Sequence, residues 1–311
     1  MTIDLIFEYN DFTWCPTTTY VKYFKKLKET RPDLTVNHID SVQMRLEAER
    51  NKQFFGHASK YGPFYMMVCN RDTNKYALVS YWDSIKDIFE ASSACFFDFS
   101  KMEQLITSIG IVRNDIEFKP LMYLNYTPFG YVPLSPECEQ EIEKLYAANL
   151  EKTIPDRPRF RNFPADPCRQ YIMNDSRFEG IDKRNHILQL REYMAELNSH
   201  KINISLNGHG EICHRDMEIM GLGNVLIRPK FVVKFHEPLI PDYHYIAIDF
   251  EDYRDYKTMA DRIIDKYNEI KNKPDFLDFI GKNAREWYLR NGCTDGNADL
   301  LLKIVNLDLL K

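Results

Sequence analysis

Short runs of β-branched, aromatic and aliphatic residues alternate along this chain with longer amphipathic stretches, and that alternation restricts the fold more than any other feature. IDLIFEY near the start, LTVNHI at 34–39, FYMMVCN at 64–70 and YALVSYW at 76–82 are strand-like. TTYVKYFKKLKE at 18–29 and VQMRLEAERNKQFF at 42–55 carry helical spacing. Strands interleaved with helices predict an α/β fold rather than an all-α or all-β one. The first strand–helix–strand, from Ile3 through the Tyr20 helix to Val36, is expected to open a doubly wound sheet.

A second unit starts after TPFGYVPLSPE (127–137), where three prolines, a glycine and a serine accumulate. Ser135 and Pro136 read as the cap and first residue of a helix. The stretch that follows runs helix, RPRFRNF, helix, KINISL, helix, NVLIRP, YHYIAI and C-terminal helices, which is α/β again. The chain of 311 residues is long enough for two such domains. The expected division is 1–126 and 127–311, two Rossmann-like domains facing a central cleft, with the last helix (298–310) packing back across the joint. Open α/β sheets bind ligands beyond the carboxyl ends of their strands, so the cleft is the expected site.

Composition narrows the partners. A net charge of −5 without a basic stripe speaks against nucleic acid. No window approaches the roughly eighteen apolar residues of a membrane span. Seven cysteines, an odd number without a CxxC, suit reduced thiols. MTIDLIFEYND lacks the basic and apolar regions of a signal peptide, so a cytoplasmic location is expected.

The densest chemistry lies in LNGHGEICHRDMEIMGLGNVLIRP, 206–229. KINISL is a strand, NGHG a sharp turn at its end, EICHRDMEIMG a helix stopping at Gly221, and NVLIRP the next strand. Gly208 and Gly210 let the backbone approach a ligand, with His209 between them and His214 early in the helix. Free N–H groups and the positive end of a helix dipole make such a place an anion site. Arg215, about one turn in, can grip a phosphate with its planar fork. Glu218 can accept hydrogen bonds from ribose hydroxyls. A turn also needs glycines for its own sake, and a solvated helix face also carries Arg and Glu, so a purely structural role stays open. GxGxxG and the P-loop are both absent. Neighbouring Cys213 and His214 point about 100° apart on a helix and do not share a metal.

G-x-G-x(4)-R-x(2)-E, a hydrophobic strand, and then PDYHYI at 241–246 resemble the C-terminal half of GT-B glycosyltransferases. The group is that of protein O-glucosyl/O-xylosyltransferases and fungal capsule-associated xylosyltransferases. Gly208, Arg215, His244 and Tyr245 take the positions of its glycine turn, helix arginine and HY pair. The resemblance covers roughly residues 150–311 and favours cytosolic or large-DNA-virus (chlorovirus-like) members. It implies a UDP-sugar donor, no cofactor or metal, a glycan or glycoprotein acceptor, and transfer of xylose or glucose. Glu211 and Glu218 are one residue too close for the E-x7-E signature of retaining enzymes, so inversion is implied. The family's strand ending in F-R-G, with an arginine downstream, places Arg161 and Arg169 near the diphosphate, although Asn162 replaces the glycine. A solvated basic loop explains those two arginines equally well. Arg228 and Lys234 are further phosphate candidates.

An inverting transferase needs a general base on the acceptor side. Asp72, in NRDTNK, resembles the family's N-x-RD segment, and Asp83 lies where a strand meets a helix. Asp72 equally suits a hairpin turn, and Asp83 a helix cap. Trp14 and Trp82 are candidate sugar platforms or core residues. An epimerase or phosphorylase-like enzyme of the same fold, or a non-catalytic sugar-binding protein, are the alternative readings.

Overall fold

The computed structural model describes residues 2–7, 26, 28–29, 31–40, 65–70, 72, 75–80, 117–120, 126–127, 134–153, 170–171, 176, 188–206, 213–231, 234–235, 237–250 and 255–296. The expected helix at 298–310 and most of those at 18–29 and 42–55 lie outside this set.

The four strand-like runs of the first part form strands β1 (Thr2–Phe7), β2 (Thr35–Asp40), β3 (Tyr65–Asn70) and β4 (Lys75–Ser80). With β5 (Glu117–Pro120) they make one sheet in the order β2-β1-β3-β4-β5. β1 and β2 run parallel, Thr2 opposite Thr35 and Phe7 opposite Asp40. A parallel neighbour needs a long crossover, and the 27 residues between the two strands, counted from Glu8 to Leu34, supply one. β3 is instead antiparallel to β1 and to β4, and β4 is parallel to β5. The sheet is therefore mixed, whereas a doubly wound sheet is mostly parallel. The cause is local: only four residues separate Asn70 from Lys75, too few for the crossover a parallel neighbour needs. A two-residue strand, β6 (Tyr126–Thr127), lies before the second unit.

Helix α1 (Pro136–Ala147) opens that unit. Ser135 caps it, its Oγ accepting from Cys138 N at 3.2 Å, and Pro136 takes the first position, where no amide hydrogen is needed. After helix α2 (Leu190–Ser199) comes strand β7 (Ile202–Ile204), then helix α3 (His214–Gly221) and strand β8 (Val225–Pro229). β9 (Lys234–Phe235) runs parallel to β6, tying Tyr126 to Lys234. Strand β10 (Ile246–Ile248), helix α4 (Tyr256–Ile270) and helix α5 (Pro274–Asn291) follow. β7, β8 and β10 make a three-stranded sheet, all parallel, with β8 in the centre.

A central parallel strand is covered on both faces, which explains why VLI is continuously apolar. Val225 and Ile227 join Ile202, Ile204, Ile246 and Ile248 against Met259, Ile263 and Tyr267 of α4. Leu226 faces the other way, into a cluster with Met217, Ile219 and Met220 of α3 and Trp287 and Tyr288 of α5. Helix α5 crosses close to the turn that follows α3. Gly223 there has φ +66°, and a Cβ on Gly281 would lie 2.3 Å from the Gly223 carbonyl oxygen, so both positions require glycine.

The buried Tyr288 hydroxyl has no hydrogen-bond partner among the described residues, and burial pushes its pKa well above the ordinary value. A buried hydroxyl without a partner costs stability. Tyr288→Phe is expected to raise the unfolding free energy by about 1 kcal/mol, read from a urea titration. A loss of similar size would mean that the hydroxyl is bonded in solution.

Candidate functional site

The carboxyl ends of β7, β8 and β10 define the edge at which a parallel sheet receives a ligand. β7 leads through Leu206 into 207–212, outside the described residues with Gly208, His209 and Gly210. Helix α3 starts directly afterwards. Cys213 is its cap residue, and its N–H donates to Asp216 Oδ2 at 2.8 Å, the reciprocal half of a capping box. The Cys213 thiol reaches back to the Leu206 carbonyl at 3.5 Å. Leu206 at the end of the strand region and Cys213 at the start of α3 are thus held together.

α3 is short and polar in sequence, yet every residue from Arg215 to Gly221 is buried. Its three charged side chains meet different fates. Asp216, fully buried, pairs with the fully buried Arg228 of β8. Arg228 also donates Nε–H to the Pro229 carbonyl at 2.9 Å and lies 3.5 Å over the Phe231 ring. Arg228 is therefore an internal partner of Asp216 and not the phosphate ligand expected from the sequence. The Lys234 side chain lies outside the described residues.

Glu218 accepts from the Tyr193 hydroxyl of α2 at 2.6 Å, and the Cys138 thiol of α1 approaches its other oxygen at 4.0 Å. Two helices therefore orient this carboxylate. Tyr193 has no counterpart among the residues expected from sequence; it sits 25 residues upstream and no local pattern joins it to Glu218.

Arg215 differs from both. It is 7% exposed, and its Nε and Nη1 have no hydrogen-bond partner among the described residues. Burial opposes its charge, but Tyr193, Cys213, Asp216 and Glu218 around it together hold its pKa above the ordinary value. A charged guanidinium with two idle donors is thus held in the first turn of a helix. Buried polar groups are nearly always satisfied, so such an exception calls for an explanation. His214, the preceding residue, is exposed. Packing behind its ring outweighs the pull of Asp216 and lowers its pKa, favouring the neutral imidazole.

The HY pair lies just before β10, in a tight turn where Asp242 has φ 56°. His244 is buried and accepts from Ile240 N through Nδ1 at 2.9 Å. Burial lowers its pKa, opposed by Glu237. The buried Tyr245 hydroxyl accepts from Phe231 N at 3.2 Å, and the two rings stand 5.1 Å apart. Tyr245 therefore reaches the base of α3 indirectly, through Phe231, Arg228 and Asp216. His244 pins the turn.

Beyond the carboxyl end of β10 is a cleft of about 460 Å³ lined by Asp249, Phe250, Arg262 and Lys266. Arg262 donates to the Asp249 carbonyl, and Lys230, next after β8, lies 3.8 Å from the Asp249 carboxylate. This cleft was not among the features expected from sequence.

Asp72 occupies the β3–β4 turn, is exposed, and accepts from Thr2 N at 3.3 Å. Asp83, Trp14, Trp82, Arg161 and Arg169 lie outside the described residues. Among the described residues no three His, Cys, Asp or Glu side chains are gathered as metal ligands, and no helix is long and apolar enough to cross a membrane. In sequence comparison, no protein-family model and no curated protein matches the chain.

Proposed function

We propose that this chain is a glycosyltransferase of GT-B architecture that takes xylose or glucose from a UDP-sugar and passes it to a hydroxyl of a glycan or glycoprotein. The observation carrying this reading is the buried guanidinium of Arg215 in the first turn of α3, whose Nε and Nη1 have no hydrogen-bond partner among the described residues. A diphosphate supplies what these donors lack: oxygens to accept from Nε–H and Nη1–H on the two sides of the guanidinium, and negative charge beside the positive end of a helix. In this reading Glu218, on the same helix as Arg215 and accepting from the Tyr193 hydroxyl, would also accept from the ribose, and the carboxyl edge of a parallel sheet is where nucleotides commonly bind. The resemblance of Gly208, Arg215 and the 241–246 segment to the protein O-glucosyl/O-xylosyltransferase group points the same way.

In this reading Arg215 stabilises the departing diphosphate, the work a metal does in other transferases. An aspartate, Asp72 or Asp83, takes the acceptor proton as the hydroxyl attacks the anomeric carbon, with inversion. The protein works in the cytoplasm, the host's if it is viral. UDP release from UDP-xylose and UDP-glucose tests this directly, with and without EDTA and in Asp72→Asn and Asp83→Asn. Turnover that survives EDTA and falls by about 100-fold or more in one aspartate variant is the expected result. Turnover that depends on added metal, or none with any nucleotide sugar, would remove the proposal.

A further inference from the structure

At the other end of α3, away from Arg215, a cavity of about 500 Å³ opens at the amino ends of β7 and β8. That volume lies in the range of small-molecule pockets. Lys201, just before β7, and Gly223, just before β8, line it, together with the first turns of α5. Three lysines reach it, and their counter-charges differ. Lys201 Nζ is 2.5 Å from Asp278 Oδ1. Lys282 is largely exposed and 4.0 Å from Glu286. Lys152, half-buried, donates to the Leu222 carbonyl at 2.6 Å and to Asn224 Oδ1 at 2.5 Å, both neutral oxygens. Among the described residues no carboxylate pairs with it; Glu151, its neighbour in the chain, is solvent-exposed.

The apolar lining is also distinctive. Tyr146 and Leu150 are 44% and 57% exposed, and both border this cavity with Leu277 and Pro274. We infer that the cavity binds a small organic anion, a carboxylate or phosphate carried on an apolar body, whose charge is matched by the Lys152 ammonium and whose body covers Tyr146 and Leu150. The two ligand parts answer the two unmet needs of the site: a half-buried cation bonded only to neutral groups, and apolar surface left in water. This inference stands apart from the nucleotide reading, since it uses the opposite edge of the sheet.

A proton linkage makes the inference measurable. Burial, and then the nearby Lys201 charge, push the Lys152 pKa down to about 8, with Asp278 opposing. At pH 8 roughly half of the amine is therefore neutral, and a bound anion would draw a proton onto it. Calorimetric titration of the full chain with acetate, benzoate and phenyl phosphate, at pH 8 in HEPES and again in Tris, reads that proton as a buffer-dependent heat. Benzoate or phenyl phosphate is expected to bind at least about tenfold tighter than acetate, with uptake approaching half a proton. Which of the two wins separates a carboxylate from a phosphate site.

Lys152→Met is expected to weaken binding by about tenfold or more and to abolish the uptake. Because Lys152 also ties down Leu222 and Asn224, that variant can lose its fold. Lys152→Arg then decides, keeping the charge and the binding while losing the uptake, because guanidinium does not titrate here. Arg215→Met is expected to leave the benzoate signal unchanged. No binding by any of the three probes overturns the inference. So does binding without proton uptake, or uptake that persists in the Lys152 variants.

Discussion

Asp216→Ala is expected to lower the unfolding free energy by about 3–5 kcal/mol, the range for breaking a buried ion pair by removing one partner. Both Asp216 and Arg228 are wholly shielded from water. Removing the carboxylate takes the Asp216 counter-charge from a buried guanidinium that also donates to the Pro229 carbonyl and lies over the face of Phe231. It also removes the acceptor for Cys213 N–H, so the start of α3 loses its cap in the same step. Arg228→Met produces the mirror case, a buried carboxylate still capped by one amide but without its cation.

The pair itself is not required for stability. Replacing both partners, Asp216→Leu with Arg228→Met, is expected to recover most of the loss, since an apolar pair of similar volume is often as stable as a buried ion pair. Urea titrations of the wild type, Asp216→Leu, Arg228→Met and the double variant measure this as a cycle. A loss below about 1 kcal/mol in Asp216→Ala would mean that water reaches the pair, because only exposed ion pairs are worth so little.

The second large effect falls on Arg215, and its sign is opposite. Arg215→Met is expected to raise the stability of the ligand-free protein by about 1 kcal/mol, because two unsatisfied buried donors disappear and the stem volume is kept. In the same variant kcat/KM for UDP-sugar should fall by about 100-fold or more, the usual consequence of removing one donor aimed at developing charge. A gain in stability together with a loss of turnover marks a residue retained for its chemistry. If Arg215→Met instead destabilises the protein as Asp216→Ala does, Arg215 is a structural residue and the idle donors are occupied in solution.

Much of the C-terminal unit was legible because its signals are local. NVLIRP is a strand with apolar residues on both faces, Ser135-Pro136 is a helix start, and Gly221 closes α3. The orientation of β3 and β4 was legible only as turn chemistry, since NRDTNK reads as a hairpin turn while the alternating pattern around it gives no strand direction. The burial of α3 was hidden because HRDMEIMG looks like a solvated helix start. Its charges are satisfied by residues distant in the chain, 12 positions away for Asp216 with Arg228 and 25 for Glu218 with Tyr193. Arg228 did carry a usable signal. In V-L-I-R-P it shares a face with Leu226, and a central parallel strand has no wet face, so a buried partner had to exist. The cavity beside Lys152 left no trace, because its lining comes from α1, the strand starts and α5, which are brought together only by packing.

The proposed binding of a nucleotide diphosphate by Arg215 is read from the thermal shift of the wild-type chain and of Arg215→Met with UDP, GDP, CDP and ADP in the presence of EDTA. A ligand that binds only the folded state must raise its apparent stability, by about 2.7 kcal/mol at 100 times Kd. The expected result is a shift with UDP alone in the wild type, lost in Arg215→Met although that variant melts no lower without ligand. A wild-type chain that answers to none of these nucleotides, or an equal UDP shift in both proteins, would contradict it.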